Sequence, residues 1–369
     1  MLCRDIGGRG AVTVQDPACP HAKNVVSHPA RAAVNSNSMV AFVDPPRLPV
    51  IDFAPFEAGG SFRDHVAAQI DWAASEFGFF YIVGHRIDLT AIERLMALSR
   101  TFFLQDADSK AQLHMSRGGR AWRGYFPVGG ELTSGRPDLK EGLYFGEELA
   151  AADARVRAGV PLHGPNLFPA LPGFRDAVLD YMTELTGLGH HLMSAIGRGL
   201  HLGDHYFFDQ LTGNPTRLFR IFNYPPGDTA ANPGVGEHTD YGLLTLLYQD
   251  EVGGLQVKHE DTWIDVPYVP GSFVVNIGDM LERLTAGRYT SALHRVFNTS
   301  GQSRISMPFF FDPDFAAELH PIPGVGPTTT RRDIERWDGR DLQAVSGTYG
   351  DYLLGKVAKV FPDLAARAI

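Results

Sequence analysis

Apolar residues in the first half of the chain follow two alternating spacings. Segments 48–53 (LPVIDF) and 78–85 (GFFYIVGH) are short apolar runs bounded by Gly, Pro and polar residues, which predicts strands. Segments 61–76 and 89–104 have the spacing of amphipathic helices, and so does 172–203. We therefore expect helices to dominate this half.

After Pro215 the pattern changes to short apolar segments separated by Gly, Pro, Asn and Asp. The predicted strands are 217–224, 243–249, 254–258, 262–266, 272–276, 291–297 and 303–311. Many short strands with such turn signals are typical of a sandwich or jelly roll and not of alternating β-α units. The expected fold is mainly β with flanking helices.

This pattern predicts one domain over residues 39–369. Its parts are a helical segment 39–214, a jelly-roll core at about 215–311 and a C-terminal helix at about 347–360. Residues 1–38 lack a sustained apolar period and the hydrophobic core of a secretory signal. They are predicted to be a disordered extension, with a second usable start at Met39; a mitochondrial or chloroplast transit peptide is the alternative.

Composition narrows the class of protein. The 369 residues are 44% hydrophobic and 20% charged, which is enough apolar material for a packed core. The net charge of −9 argues against nucleic acid as a partner, because phosphate binding needs a basic face. No apolar run is long enough to span a membrane. The only cysteines, Cys3 and Cys19, lie in the extension, so nothing indicates an oxidising compartment and we predict a cytoplasmic protein.

Two His-x-Asp triplets are candidate metal ligands. His259 lies between two segments that predict a hairpin, so its triplet is interpreted as a solvated turn. His238 precedes the apolar segment YGLLTLLYQD, which predicts a buried strand. Residues two apart on an extended chain point to the same side, so His238 and Asp240 can bind one ion.

His294, in the apolar segment SALHRVF, is the predicted third ligand. Taken alone, its sequence context favours a core histidine bonded to a backbone carbonyl. Two imidazoles and one carboxylate, however, form the facial triad that binds non-haem Fe(II) and leaves positions open for oxygen chemistry.

A second predicted site takes an acidic cosubstrate. Arg304 and Ser306 share one face of the predicted strand RISMPFFF, and a guanidinium beside a hydroxyl suits a carboxylate. Tyr224 could add a phenolic donor. The alternatives are an Arg paired with a nearby acid and a Tyr bonded to the backbone.

Over about residues 46–311, the chain resembles the isopenicillin N synthase-like group of Fe(II)- and 2-oxoglutarate-dependent oxygenases. The matching segments are LPVIDF, GFFYIVGH, RGY (123–125), DLKEGLYFG (138–146), FNYPP, GEHTDYGLLTLLYQD (236–250), GGLQV, GSFVVNIGDML (271–281), SALHRVF and RISMPFFF. The chain departs from many relatives at Ile305 and Met307, where they carry Tyr and Ile; Ile305 is expected to point away from the ligand.

The resemblance implies a distorted double-stranded β-helix, another name for this jelly roll. It implies Fe(II) on His238, Asp240 and His294. It also implies 2-oxoglutarate on Arg304 and Ser306, with Tyr224 as an auxiliary contact.

The implied activity uses O2 to oxidise a C–H bond of a small molecule, with release of succinate and CO2. No catalytic residue beyond the metal centre is needed. Hydroxylation is the first expectation; desaturation and ring closure use the same oxidant, and the oligomeric state stays open.

Two other functions remain possible from the sequence. One is an oxidase of the same group that uses O2 without 2-oxoglutarate, and the other is an inert jelly-roll binding protein.

The substrate pocket is expected to involve the Gly-, Arg- and Pro-rich segment 116–140, interpreted as a long irregular loop at the mouth of the site. The C-terminal helix is expected to help shape it. The residues predicted to contact substrate are Arg120, Arg123, Tyr125, Tyr241, Phe309 and Phe311.

Overall fold

Two sheets form the centre of the computed structural model, which describes residues 41–42, 48–133, 135–226, 233–326 and 342–361. Within these ranges the strands are β1 (Ala41–Phe42), β2 (Pro49–Asp52), β3 (Phe79–Val83), β4 (Gly124–Phe126), β5 (Leu132–Thr133), β6 (Arg136–Pro137), β7 (Glu141–Gly146), β8 (Pro215–Tyr224), β9 (Val235–His238), β10 (Leu244–Gln249), β11 (Leu255–His259), β12 (Thr262–Asp265), β13 (Phe273–Ile277), β14 (His294–Val296) and β15 (Arg304–Asp314). The predicted extension 1–38 lies outside the described residues.

Helices flank the sheets. They are α1 (Ala54–Ala58), α2 (Phe62–Glu76), α3 (Leu89–Phe103), α4 (Ala107–Ala111), α5 (Ala154–Arg157), α6 (Phe174–Gly199), α7 (Tyr206–Gln210), α8 (Asp279–Leu284) and α9 (Tyr349–Val360), with 3-10 turns at Met115–Arg117, Gly119–Ala121 and Leu342–Ala344. In the described part of the chain, no helix is both long and apolar enough to cross a membrane.

The larger sheet has nine strands in the order β1-β2-β3-β13-β10-β15-β8-β7-β4, and the smaller has the order β12-β11-β14-β9. All pairs except β2–β3 are antiparallel. The central strands β10 and β13 are buried along their whole length, as their continuous apolar sequences require. This is the expected jelly roll with flanking helices, and the fold prediction is confirmed.

The predicted strands and long helices after residue 48 agree with the structure to within a few residues at each end. The segment 291–297 is the exception, since only His294–Val296 is extended. The interpretation of 116–140 as one irregular loop was wrong, because it contains two 3-10 turns, β4 and the β5–β6 hairpin. The sequence pattern also missed β7 and β9; β9 is too short to show a period.

The C-terminal helix α9 is held against the sheets by buried polar contacts. Thr348 and Asp351 form a capping box at its start. The hydroxyl of Tyr349 donates to Asp312 (2.5 Å), and that of Tyr352 donates to Asp279 (2.9 Å). Since Asp312 lies on β15, two residues before its end, these contacts fix α9 beside the cavity described below.

Two glycines of α6 give a matched test of core packing. Gly189 is buried, and an added Cβ would lie 2.4 Å from the Phe311 ring, whereas the same atom on the exposed Gly187 would meet nothing within 4 Å. Gly189→Ala should lower the free energy of unfolding by about 1–3 kcal/mol through overpacking. Gly187→Ala should raise it by about 0.5–1 kcal/mol, because Ala favours the helix. Thermal and urea unfolding of both variants check this; equal shifts would contradict the packing of Phe311 on α6.

Candidate metal centre

Three potential ligands meet where β9 and β14 pair. His238 ends β9 and lies directly opposite His294 in the antiparallel register. The chain turns after β9 and places Asp240 two residues further on, with 8% of its surface exposed. The short β9 therefore carries one ligand, and the turn that follows it carries the next.

The three side chains converge on one point. Asp240 Oδ1 lies 3.8 Å from His238 Nε2 and 3.7 Å from His294 Nε2. The two imidazole rings have centroids 4.1 Å apart. One donor atom from each residue lies within 4.8 Å of the other two, and no other such group of His, Cys, Asp or Glu occurs in the described residues.

Backbone carbonyls set the orientation of both imidazoles. His238 Nδ1 donates to Gly236 O (2.8 Å), and His294 Nδ1 donates to Ala292 O (3.1 Å). Burial, and then the neighbouring His294, lower the pKa of His238 to about 3. His238 Nε2 thus keeps its lone pair for a cation, and the carbonyl contacts orient both rings in the arrangement usual for metal-binding histidines.

Two side chains hold the far oxygen of Asp240. Oδ2 accepts hydrogen bonds from Thr245 Oγ1 (2.5 Å) and Asn276 Nδ2 (2.7 Å), which leaves Oδ1 facing the histidines. Burial raises the pKa of Asp240, but His294, His238 and these hydrogen bonds outweigh it and bring that pKa below its usual value. The carboxylate is therefore ionised, and its Oδ1 is directed towards the two histidines. Thr245 and Asn276 could not be identified from the sequence, since their role depends on the pairing between β10 and β13.

This donor set fits ferrous iron. Two imidazole nitrogens and one carboxylate oxygen occupy one side of a common point, and they are the ligand types of the non-haem Fe(II) facial triad. The other side faces a cavity of about 100 Å³, which gives room for further ligands.

Arg304 lies in the wall of that cavity and is fully buried. Its Nη2 donates to Gln249 Oε1 (3.0 Å), while Nε and Nη1 have no hydrogen-bond partner. Among the described residues no carboxylate forms an ion pair with it. A buried guanidinium with donors left over is costly unless a ligand accepts them.

Ser306 and Tyr224 lie beside Arg304 as the strand register requires. Ser306 is two residues along β15 and lines the same cavity, and Tyr224 of β8 is the cross-strand partner of Arg304. The guanidinium carbon lies 4.7 Å from the centre of the Tyr224 ring. The three residues predicted for an acidic cosubstrate are therefore brought together on one wall.

Of the six residues predicted to contact substrate, the structure places only Tyr241 in the cavity wall. Phe309 and Phe311 are fully buried, and the Phe311 ring packs on α6. Along β15 the cavity-lining residues alternate with them: Arg304, Ser306, Pro308, Phe310 and Asp312.

The other three predicted substrate contacts lie away from this cavity. Arg120 is exposed. The Arg123 guanidinium donates to Leu162 O (2.7 Å), and the Tyr125 hydroxyl donates to Glu141 (2.6 Å). Arg120, Arg123 and Tyr125 do not line the cavity, and neither do the two phenylalanines, so we leave all five out of the proposed pocket.

The cavity wall also contains charged residues that were not predicted from the sequence, namely Glu131, Lys140, Arg220 and Asp312. The only sequence signal for them is a charged residue inside an apolar segment, as with Arg220 in RLFRIF.

The His259 triplet, which was interpreted as a turn, lies at the β11–β12 hairpin. The His259 ring packs at a tilt against Phe77, with 4.6 Å between the ring centroids.

Comparison with known proteins agrees with this geometry. Residues 215–313 match the model of the 2OG-Fe(II) oxygenase superfamily, and residues 48–171 match that of the non-haem dioxygenase in morphine synthesis N-terminal region. A probable iron/ascorbate oxidoreductase of Dictyostelium discoideum is 46% identical over 350 residues, covering 86% of this chain and 96% of that protein. A 1-aminocyclopropane-1-carboxylate oxidase of Dictyostelium mucoroides is 36% identical, covering 87% and 97%.

Among solved structures, a full-length Neurospora crassa protein in complex with alpha-KG and thymine has a TM-score of 0.70 and 27% identity. The match covers 86% of this chain and 98% of that one. With the extent of these matches and the His-Asp-His geometry, the chain belongs to the superfamily of 2-oxoglutarate- and Fe(II)-dependent oxygenases.

Proposed function

We propose that this oxygenase hydroxylates a C–H bond of a small molecule and converts 2-oxoglutarate and O2 to succinate and CO2. The observation that carries this proposal is the pair of unpartnered, buried nitrogens of Arg304 in the cavity next to the His-Asp-His group. A dicarboxylic acid can bind the metal at one end and accept from these nitrogens at the other.

In this proposal the protein supplies geometry and shielding. His238, Asp240 and His294 hold the metal on one side, and Arg304 and Ser306 bind the distal carboxylate, with Tyr224 beside them. Apolar residues such as Leu247, Leu255 and Val296 complete the wall and exclude water. When bound, ferrous iron supplies oxygen activation and 2-oxoglutarate supplies the two electrons that the reaction requires. No side chain is needed as a general base.

A second function is an oxidase that uses O2 without 2-oxoglutarate, with Arg304 and Ser306 binding a carboxylate of the substrate itself. The 36% identity to 1-aminocyclopropane-1-carboxylate oxidases favours it. Succinate formation separates the two functions, because only the first produces it. We propose a cytoplasmic location on the sequence grounds given above, and the inert binding protein is not retained, since all ligand positions are filled by suitable donors.

The direct experiment is to supply Fe(II), 2-oxoglutarate and O2 and to measure succinate with and without candidate small molecules. We expect a slow basal release that a substrate stimulates. Oxygen consumption and product formation without any succinate would support the oxidase function instead.

The metal assignment predicts unequal effects of two histidine changes. His238→Ala removes a ligand, so it should weaken Fe(II) binding by more than the roughly 10–100-fold that loss of an outer hydrogen bond causes, and abolish activity. His259→Ala, the control, should change neither. Anaerobic equilibrium dialysis with Fe(II) measures both; an effect of His259→Ala as large as that of His238→Ala would refute the assignment.

The cosubstrate assignment predicts a selective loss of affinity. Arg304→Ala should weaken 2-oxoglutarate binding by about 2–5 kcal/mol, because a buried charge-assisted contact is removed. Arg217→Ala is the matched control, since Arg217 lies on the adjacent strand β8 and pairs with Glu147 (2.9 Å) outside the cavity. Titration of the Fe(II)-loaded protein without oxygen gives both constants. An unchanged 2-oxoglutarate affinity in Arg304→Ala would contradict the role.

A further inference from the structure

A group of charged residues lies beyond the proposed cosubstrate site. We call Glu131, Asp138, Lys140 and Arg220 the polar cluster; all but Asp138 line the cavity. Arg220 precedes Tyr224 by four residues on β8, so it lies about 13 Å along the strand from the Arg304–Tyr224 pair. A cosubstrate bound between Arg304 and the metal does not need these residues.

Lys140 joins the two acids of the polar cluster. Its ammonium lies 2.8 Å from Glu131 Oε2 and also donates to Asp138. Asp138 accepts a further hydrogen bond from Thr133 (2.8 Å), and Glu131 accepts one from the Tyr144 hydroxyl. Lys140 and both acids are almost completely buried.

Arg220 is more weakly held. Its Nη1 lies 3.5 Å from Glu131 Oε1, and its Nε is buried with no hydrogen-bond partner. The guanidinium carbon lies between two rings, 4.2 Å from the centre of Tyr144 and 4.8 Å from that of Phe310. Glu131 Oε2 is ion-paired with the Lys140 ammonium at 2.8 Å but accepts from no other group, so it can accept one further hydrogen bond. A buried acid and a buried base in the same wall therefore retain hydrogen-bonding capacity.

The formal charges of the polar cluster cancel, since it contains two acids and two bases. Asp312 also lines the cavity, but burial raises its pKa to about 7, and Tyr349 donates to one of its oxygens and the Leu243 N–H to the other. A ligand with a net charge would bring an uncompensated charge into this part of the cavity, which is costly. A ligand group without net charge, carrying a donor next to an acceptor, would satisfy both Glu131 and Arg220.

We propose that Arg220 and Glu131 anchor the substrate, and that the anchored group is neutral overall, with an acceptor oxygen for Arg220 and an N–H donor for Glu131. A cyclic amide or imide and the zwitterionic head of an α-amino acid share this chemistry. The inference rests on the proposed function, because it takes the cavity to be the substrate site of an oxygenase.

The test compares four small probes on the full chain loaded with Fe(II) and 2-oxoglutarate without oxygen. Glutarimide is a neutral imide, norvaline a zwitterion, valerate an anion and butylamine a cation. Calorimetric titration should show glutarimide or norvaline binding at least about tenfold more tightly than valerate and butylamine, as expected for a charge-assisted hydrogen bond. Which of the two binds more tightly separates imide from amino acid. Tightest binding of valerate or butylamine, or no binding by any probe, would overturn the proposal.

Two substitutions should shift the preference in opposite directions. Glu131→Gln leaves the polar cluster with one excess positive charge, so the affinity ratio of valerate to butylamine should rise at least about tenfold. Arg220→Gln leaves one excess negative charge, so the same ratio should fall by a similar factor. Because each ratio is internal to one variant, a loss of folded protein does not imitate the result.

Arg217→Gln is the control for removal of a cation from β8 and should leave the ratio unchanged. Equal ratios in Glu131→Gln, Arg220→Gln and the unmodified chain would contradict the anchoring role. Binding requires no turnover, so the two proposals can fail separately. The expected probe pattern without succinate on addition of oxygen would contradict the proposed function alone, and succinate formation with the wrong probe pattern would contradict the anchoring role alone.

Discussion

The site depends on the burial of one carboxylate between two imidazoles. Asp240 loses most of its hydration, and that loss must be offset by a cation and by hydrogen bonds. Thr245 and Asn276 bind one of its oxygens, and the two histidines face the other. These contacts require β10 and β13 in one register and β9 and β14 in another, so the pairing of both sheets is tied to the geometry of the metal centre.

The alternation of side chains along each strand then determines which functional groups face the cavity. On β15, every second residue from Arg304 to Asp312 lines it, while the residues between face the core. On β8, Leu218, Arg220, Phe222 and Tyr224 line it in the same way. Two neighbouring strands thus carry the proposed cosubstrate contacts at one end and Arg220 further along, so a single wall can serve both ligands.

The sequence predicted most of what depends on local periodicity. The alternation in RISMPFFF placed Arg304 and Ser306 on one face, and the apolar segment after Asp240 distinguished the His238 triplet from that of His259. The same alternation argues against Phe309 and Phe311 as pocket residues, because they have the opposite parity to Arg304. The Phe311 ring instead packs against Gly189 of α6.

The polar cluster could not be predicted in this way, because its members come from separate segments. Glu131 precedes a two-residue strand, Lys140 precedes β7, and Arg220 lies within β8; only the folded chain brings them to one wall. Replacement of a buried ion pair by well-packed apolar residues is often neutral or stabilising. Stability alone therefore gives little reason for the buried charges of the polar cluster, whereas recognition of a polar ligand requires donors and acceptors that are already positioned before it arrives.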